Sequence, residues 1–241
     1  MATPRIYWPS TLSLGQSVAL QTDTIHHLIT VLRLKSGENV FLFNGEGEYL
    51  TTLTLTGKKS ALLTIVSKNT QQRESPLKLE LATCLYRGKQ FDTSIQKAVE
   101  LGVHAITPII SHKSDVVTKA AFERNKQLEN TVVAACAQSG RVQLPQVNAE
   151  ISLTTWIEQS AHTMAIACDF FPTTLDWKST PLENQRISVL IGPAGGFSES
   201  ESLALKEAMI QNLYLGPRTL RSDTATAIAL GLVQHHWGDL S

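Results

Sequence analysis

The chain has 241 residues with 21 basic and 21 acidic side chains, so its formal net charge is zero. This length suits one large domain or two modest ones, and 42% hydrophobic residues indicate a folded protein. We predict no membrane span, because no apolar run approaches the ~20 residues that one needs, and no secretory signal at the start. Three widely spaced cysteines predict neither a disulfide framework nor a zinc site, and they favour a cytoplasmic location.

The charges are distributed unevenly along the sequence. Basic residues outnumber acidic ones by 7 to 5 in residues 1–75 and by 9 to 7 in residues 76–150, whereas residues 151–241 contain 5 basic and 9 acidic residues. The neutral total argues only weakly against a nucleic-acid partner. We therefore expect any RNA contact to use local basic patches in the first two-thirds of the chain.

Short β-like segments dominate the first 67 residues. Residues 40–43, 49–55 and 61–66 have the composition of strands separated by polar turns, a pattern typical of a small β-barrel. In residues 24–33 the apolar side chains recur at helical spacing, which predicts a helix that ends at the basic Arg33.

A polar stretch without periodicity, residues 67–76, predicts a domain boundary, which we place between residues 72 and 73. Beyond it, strand-like and helical segments alternate, which predicts an α/β domain with a mainly parallel sheet. The predicted strands are residues 77–85, 105–110, 164–168, 187–191 and 213–215. The predicted helices cover about 91–101, 120–139, 198–210 and 222–237. The last helix is expected to bury one face made of Ala225, Ile228, Ala229, Leu232, Val233 and Trp237.

Two glycine-proline loops carry the strongest functional signal. The first loop covers residues 191–198 and the second covers residues 215–225, and each follows an apolar run and opens onto a helix. Glycines allow a ligand to approach the backbone, and helix N-termini favour negative charge. Since ligands bind at the carboxyl ends of parallel strands, both loops are predicted to border one cofactor pocket. For the first loop alone, a tight turn without a ligand is an equally good interpretation.

Arg218 and Arg221 flank Leu220 just before the last helix. A guanidinium at this position can bind phosphate or stabilise an oxyanion. The alternative is a surface arginine paired with Asp223 or Glu199, and Asp223 can be a helix N-cap. The adjacent histidine pairs lack the spacing of a zinc helix, so we predict no metal site.

Five segments, taken together, resemble the ribosomal RNA small subunit methyltransferase E family of the SPOUT superfamily. They are residues 26–34, 87–103 and 138–145 and the two glycine-proline loops, which together span nearly the whole chain. That family methylates N3 of a uridine in 16S ribosomal RNA and uses S-adenosylmethionine as its cofactor.

The resemblance implies a fold and partners. It implies a small N-terminal PUA-like β-barrel that helps to hold RNA, residues 1–72, and a SPOUT-type α/β domain with a trefoil knot, residues 73–241. It also implies a homodimer in the cytoplasm that acts on 16S ribosomal RNA or the small ribosomal subunit, without a metal.

The resemblance places the functional residues in the same segments. The cofactor-binding residues are expected to be Ile191, Gly192, Pro193, Gly195, Gly196, Leu215, Gly216, Leu220, Thr224 and Ala225. Arg221 and Asp223 are the candidate catalytic residues, with the general base left open. The candidates for phosphate contacts are Arg33, Arg87, Lys89 and Arg141.

The sequence also departs from the family pattern. Ala137 and Ala194 stand where glutamate is usual, and Ser222 and Asp223 replace the commoner threonine and glutamate. The two missing glutamates leave open a non-catalytic RNA-binding ribosome assembly factor on the same scaffold. A small-molecule α/β enzyme that binds a phosphorylated ligand is the third hypothesis.

Overall fold

The structure, a computed structural model, describes residues 3–57, 60–71, 73–86, 88–114, 121–160, 163–168, 176 and 182–240. The chain forms two compact units. The first unit contains Met1–Glu74 and Cys136–Leu144, and the second contains Ser75–Ala135 and Pro145–Ser241. A segment from the middle of the chain therefore packs within the N-terminal unit. The boundary placed between residues 72 and 73 stays a prediction.

The first unit is built on a five-stranded sheet in the order β1-β3-β4-β5-β2. The strands are β1 (Arg5–Tyr7), β2 (Ser17–Ala19), β3 (Asn39–Phe43), β4 (Glu48–Gly57) and β5 (Ser60–Asn69). β1 pairs with β3 in parallel, and the other pairs are antiparallel. Leu53 of β4 and Leu63 of β5 are fully buried, because alternate side chains of each strand point into one core. The predicted N-terminal β domain is confirmed.

The helix predicted over residues 24–33 is divided in two. α1 (Thr22–His26) continues as a π-helical segment, His27–Val31, in which Leu32 N donates to His27 O at 3.0 Å. The wider turn inserts a residue into the helical register, and such segments are frequent at functional sites. Arg33 follows, exposed and in the left-handed region with φ of 59°.

The second unit contains a seven-stranded sheet whose described pairs are all parallel. The order is β12-β10-β11-β6-β7-β8, and β9 also pairs with β7. The strands are β6 (Lys78–Cys84), β7 (Ala105–Ile110), β8 (Gln146–Val147), β9 (Ile151–Ser152), β10 (Met164–Cys168), β11 (Arg186–Ile191) and β12 (Gln211–Asn212). The predicted parallel α/β domain is confirmed, and the trefoil knot stays a prediction.

Six helices complete the described architecture, and α1 belongs to the first unit. The others are α2 (Lys89–Glu100), α3 (Ala121–Ser139), α4 (Leu153–Gln159), α5 (Glu199–Glu207) and α6 (Ser222–Trp237). Within the described parts of the chain, no helix has both the length and the apolar character needed to cross a membrane.

The buried face of α6 differs from the predicted one. Ala229 and Val233 are buried as expected, but Ile228 and Leu232 are 41% and 40% exposed. The buried face instead includes two polar residues, Thr226 and Gln234. Thr226 Oγ1 donates to Ser222 O at 2.7 Å, and Gln234 Nε2 donates to Leu101 O at 2.7 Å. Because hydrogen bonds satisfy these polar groups, they are tolerated in the core, and hydrophobicity alone did not reveal the face.

The short strand after α5 is also displaced from its predicted position. The sequence predicted residues 213–215, whereas β12 is Gln211–Asn212. Leu213 N still donates to Ala167 O at 2.9 Å, so the chain continues along β10 for one more residue. The second glycine-proline loop therefore starts directly beside the end of β10.

Arg5 joins the mid-chain segment Cys136–Leu144 to the β sheet of the first unit. Its guanidinium pairs with Glu48 at 2.6 Å and donates to the carbonyls of Cys136 at 2.6 Å and Ala137 at 3.0 Å. A third bond reaches Arg141 O at 3.0 Å. The Arg5 side chain, which is 10% exposed, thus binds carbonyls at the C-terminal end of α3, where Cys136 O also accepts from Gly140 N at 3.2 Å.

Arg141, which we predicted to contact phosphate, has a structural role in this unit. Its Nη2 lies 2.7 Å from Glu74 Oε2, and the two side chains are only 7% and 12% exposed. The other oxygen of Glu74 accepts from Val142 N at 3.0 Å and Gln143 N at 3.1 Å. The prediction failed because the sequence does not show whether a basic residue is exposed or is paired with an acidic residue inside the protein.

Replacing Glu74 with Ala should lower the free energy of unfolding by about 3–5 kcal/mol, because it leaves the buried Arg141 without its partner. The matched control is Glu100→Ala, which removes the partly exposed pair with Lys97 and should cost about 0.5 kcal/mol. Urea unfolding followed by circular dichroism measures both. Equal losses in the two variants would contradict a buried structural pair.

Candidate active site

A cleft opens at the carboxyl ends of β10 and β11 in the second unit. The space between its walls is about 640 Å³, a volume that includes open solvent at the mouth of the cleft. The sheet order β12-β10-β11 brings together the loops that follow β11 and β12. The two glycine-proline loops therefore both line this one cleft, as the sequence predicted.

Most of the predicted cofactor-binding residues line this cleft. They are Ile191, Gly192, Pro193, Gly196, Leu215, Gly216, Leu220 and Ala225. Gly195 and Thr224 lie in the same loops but are not lining residues. Eight further residues line the cleft: Cys168, Ala194, Phe197, Leu213, Tyr214, Arg218, Thr219 and Ser222. Five of them, Ala194, Phe197, Arg218, Thr219 and Ser222, belong to the two loops that the sequence predicted to border the pocket. Leu213 and Tyr214 directly precede the second loop, and Cys168 is the last residue of β10.

The first loop requires glycine at its start. A Cβ at Gly192 would lie 2.9 Å from Cε2 of the Phe197 ring, which itself lines the cleft. Gly196 has φ of 68° and its N–H donates to Pro193 O at 2.9 Å, which closes a tight turn. The loop is thus compact enough to present backbone groups to the cleft.

A capping box ends this loop and begins α5. Glu201 N donates to Ser198 Oγ at 3.3 Å, and Ser198 N donates to the Glu201 carboxylate at 2.8 Å. His112 N also donates to Glu201, at 2.7 Å. Burial acts to raise the pKa of Glu201, but the hydrogen bonds from Ser198 and His112 outweigh it and lower this pKa overall. The predicted capping box is confirmed.

The two arginines of the second loop have different positions. Arg218 lines the cleft, whereas Arg221 is the exposed N-cap residue of α6 and is not a lining residue. The Arg221 side chain makes no hydrogen bond or ion pair within the described part of the chain, so neither Asp223 nor Glu199 pairs with it there. Asp223 lies inside the first turn of α6 and is not the N-cap, and its Oδ1 accepts from Thr224 N at 2.9 Å.

Tyr86 lies beside the beginning of α6 and was not selected from the sequence. Its hydroxyl lies 2.5 Å from Ser94 Oγ in α2. Burial raises the pKa of Tyr86, opposed by hydrogen bonds with Ser94 and Ser222 and supported by the charge of Asp223. The phenol therefore stays protonated at neutral pH, and its hydrogen bonds to Ser94 and Gln90 O hold it against α2.

The predicted phosphate contacts are distributed over both units. Arg33 is exposed in the first unit, and Lys89 is the exposed first residue of α2 in the second. Arg87 lies outside the described residues. Arg141 is buried against Glu74, as described above.

The thiols and potential metal ligands give no second site. Burial raises the pKa of Cys84 to about 12 and that of Cys136 to about 11, so both thiols are protonated and weakly nucleophilic. Among the residues that the structure describes, no group of three or more His, Cys, Asp or Glu side chains could hold a metal ion. The cleft instead combines backbone groups, apolar side chains and the Arg218 cation, a lining suited to an organic ligand of moderate size.

Two family models match the chain. A model described as an RNA methyltransferase domain matches residues 73–234, and one described as an RNA methyltransferase PUA domain matches residues 20–66. Ribosomal RNA small subunit methyltransferase E of Buchnera aphidicola is 28% identical over 99% of this chain and 98% of its own length. The protein of the same name from Synechocystis is 30% identical over 90% of this chain and 72% of its own length.

Two solved structures are similar over their full lengths. Ribosomal RNA small subunit methyltransferase E from Neisseria gonorrhoeae, bound to S-adenosyl methionine, is 34% identical, with a TM-score of 0.89 and 100% coverage of both chains. A protein from Legionella pneumophila that is described as a methyltransferase, in complex with the cofactor SAM, is 33% identical, with a TM-score of 0.90 and 100% coverage of both chains.

Replacing Glu201 with Gln should lower the free energy of unfolding at pH 7 by about 0.5–1 kcal/mol, because it weakens the anchor at the start of α5. The pKa of Glu201 is lowered in the folded state, so its carboxylate stabilises the fold above the unfolded value of about 4.3. This stabilisation is lost as the pH falls through the lowered folded-state pKa. Urea unfolding of both proteins from pH 7 to pH 3 measures the effect, and a difference that does not change with pH would contradict it.

Proposed function

Because the chain belongs to the ribosomal RNA small subunit methyltransferase E family, we propose that it methylates N3 of a uridine in 16S ribosomal RNA. At the coarser level it is an S-adenosylmethionine-dependent RNA methyltransferase with an RNA-binding PUA domain. The finer assignment to uridine N3 rests on the five segments that resemble the family. Since the proposed substrate is bacterial ribosomal RNA, the proposed place of action is the cytoplasm.

The convergence of the two glycine-proline loops on one cleft is the observation that carries this proposal. S-adenosylmethionine, when bound, supplies an electrophilic methyl group on its sulfonium. The cleft fits such a cofactor, since backbone groups of both loops can bind its polar parts and apolar side chains can pack on its adenine. We propose that the lining backbone of residues 191–196 and 215–225, with Phe197 and Tyr214, holds it.

The side chains at the start of α6 would act on the substrate. N3 of uridine becomes a good nucleophile when its proton leaves, and the resulting negative charge spreads over O2 and O4. Arg221 is exposed and lies in sequence between the cleft-lining residues Leu220 and Ser222, where its guanidinium can stabilise this charge or position the base. Arg218 is a second cation in the cleft lining. Asp223 is the weaker candidate for the base.

RNA would be held by basic residues outside the cleft. Arg33 in the PUA domain and Lys89 in the methyltransferase domain are exposed and are proposed to contact phosphates. Arg87 is proposed from the sequence alone. We do not retain Arg141 in this set, since Glu74 neutralises it inside the first unit.

We propose that the enzyme is a homodimer. Ile228 and Leu232 form an exposed apolar pair one turn apart on α6, which a second copy would cover. Sedimentation velocity should give twice the 26.4 kDa chain mass, and Ile228→Glu should shift it towards the monomer. A wild-type protein that sediments as a monomer at micromolar concentration would contradict the dimer.

The function is tested by measuring methyl transfer to small-subunit ribosomal RNA that has been purified from a strain lacking this modification. The wild type should incorporate methyl groups, and nucleoside analysis should identify 3-methyluridine. Arg221→Ala should lower turnover about a hundredfold or more, which corresponds to the loss of one oxyanion-stabilising donor. It should change the Kd for S-adenosylmethionine much less, because Arg221 is not a lining residue.

Arg218→Ala serves as the comparison, because Arg218 lines the cleft and its loss should raise that Kd. Equal losses of binding and turnover in Arg221→Ala would contradict a role in catalysis. RNA binding without any methyl incorporation by the wild type would favour the non-catalytic assembly factor.

A further inference from the structure

A turn that follows β7 makes hydrogen bonds to the first glycine-proline loop. In this turn, residues 111–114, Ser111 N donates to Ser114 Oγ at 3.0 Å and Ser114 N donates to Ser111 O at 3.0 Å. These bonds fix the backbone of the two residues between them, His112 and Lys113. Neither residue lines the cleft or was selected from the sequence.

Lys113 makes its contacts with the main chain of the loop. Its Nζ donates to Gly195 O at 2.9 Å and to Phe197 O at 3.4 Å. Its aliphatic stem covers Gly195, because a Cβ at Gly195 would lie 3.4 Å from Lys113 Cδ. One ammonium group therefore bridges two carbonyls on either side of Gly196, the residue with positive φ.

The neighbouring residue supplies a second attachment. His112 N donates to Glu201 Oε1 at 2.7 Å, and Glu201 belongs to the capping box with Ser198. Lys113 thus binds the loop at residues 195 and 197, and His112 binds Glu201 at the start of α5. Neither Lys113 nor His112 lines the cleft, whereas Pro193, Ala194 and Gly196 of the loop do.

We infer that Lys113 is a positioning residue that holds the first glycine-proline loop in its cofactor-binding conformation. The inference rests on the proposed function, since it assumes that this loop binds S-adenosylmethionine. A glycine-rich loop has high conformational entropy when it is unconstrained. When only a fraction of molecules has the competent loop, the apparent Kd rises in inverse proportion to that fraction. The Lys113 contacts keep this fraction high before the cofactor arrives.

The test compares Lys113→Met, which keeps the stem and removes the charge, with Lys113→Arg, which keeps both. Lys206→Met is the matched control, because Lys206 is exposed on α5 and its ammonium pairs with no residue that the structure describes. Titration calorimetry measures the Kd for S-adenosylmethionine. Hydrogen–deuterium exchange of residues 192–198 in the cofactor-free protein measures the order of the loop.

Lys113→Met should raise the Kd about fivefold, the effect of losing both charge-assisted hydrogen bonds of a partly exposed ammonium group. It should speed exchange at Gly196 and leave kcat at saturating cofactor close to that of the wild type. Lys113→Arg should restore the Kd, and Lys206→Met should match the wild type. The inference is overturned if folded Lys113→Met has wild-type Kd and exchange, or if Lys113→Arg is no better than Lys113→Met. If the wild type binds no S-adenosylmethionine, the proposed function fails, while the exchange comparison still tests the positioning of the loop.

Discussion

The parallel pairing of β10 with both β11 and β12 is the constraint on which the site depends. Ile191 at the end of β11 lies opposite Cys168 at the end of β10, and β12 pairs with β10 from the other side. Two loops that are about twenty residues apart in sequence therefore emerge at the same edge of the sheet. Antiparallel pairing of either strand would have sent one loop to the opposite edge, and no shared cleft would have formed.

The sequence was sufficient for features that depend on local patterns. Continuous apolar runs identified β10 and β11 because both faces of those strands are buried, and Ser198 with Glu201 identified the start of α5. The two glycine-proline loops were recognised because backbone freedom and turn geometry are encoded in the residues themselves. Most of the predicted cofactor-binding residues accordingly line one cleft.

Several features that the sequence did not reveal depend on partners distant in the chain. Arg141 looked like a surface cation until Glu74, at the end of the first stretch of the N-terminal unit, proved to neutralise it. The burial of Gln234 on α6 could not be predicted, because it depends on the hydrogen bond to Leu101 O. Lys113 gave no signal because it contacts backbone carbonyls, which every residue has. Periodicity records which side of an element is apolar, and it contains no information about such pairings.

The return of residues 136–144 to the N-terminal unit has a consequence for how this protein is made. Arg5 is translated near the beginning, yet the carbonyls that it binds appear only after more than half of the polypeptide has been synthesised. Arg5 can pair with Glu48 as soon as the leading β sheet forms, but its three carbonyl acceptors are supplied only by the later segment. The full set of Arg5 contacts within the N-terminal unit therefore becomes available only after the end of α3 has been synthesised.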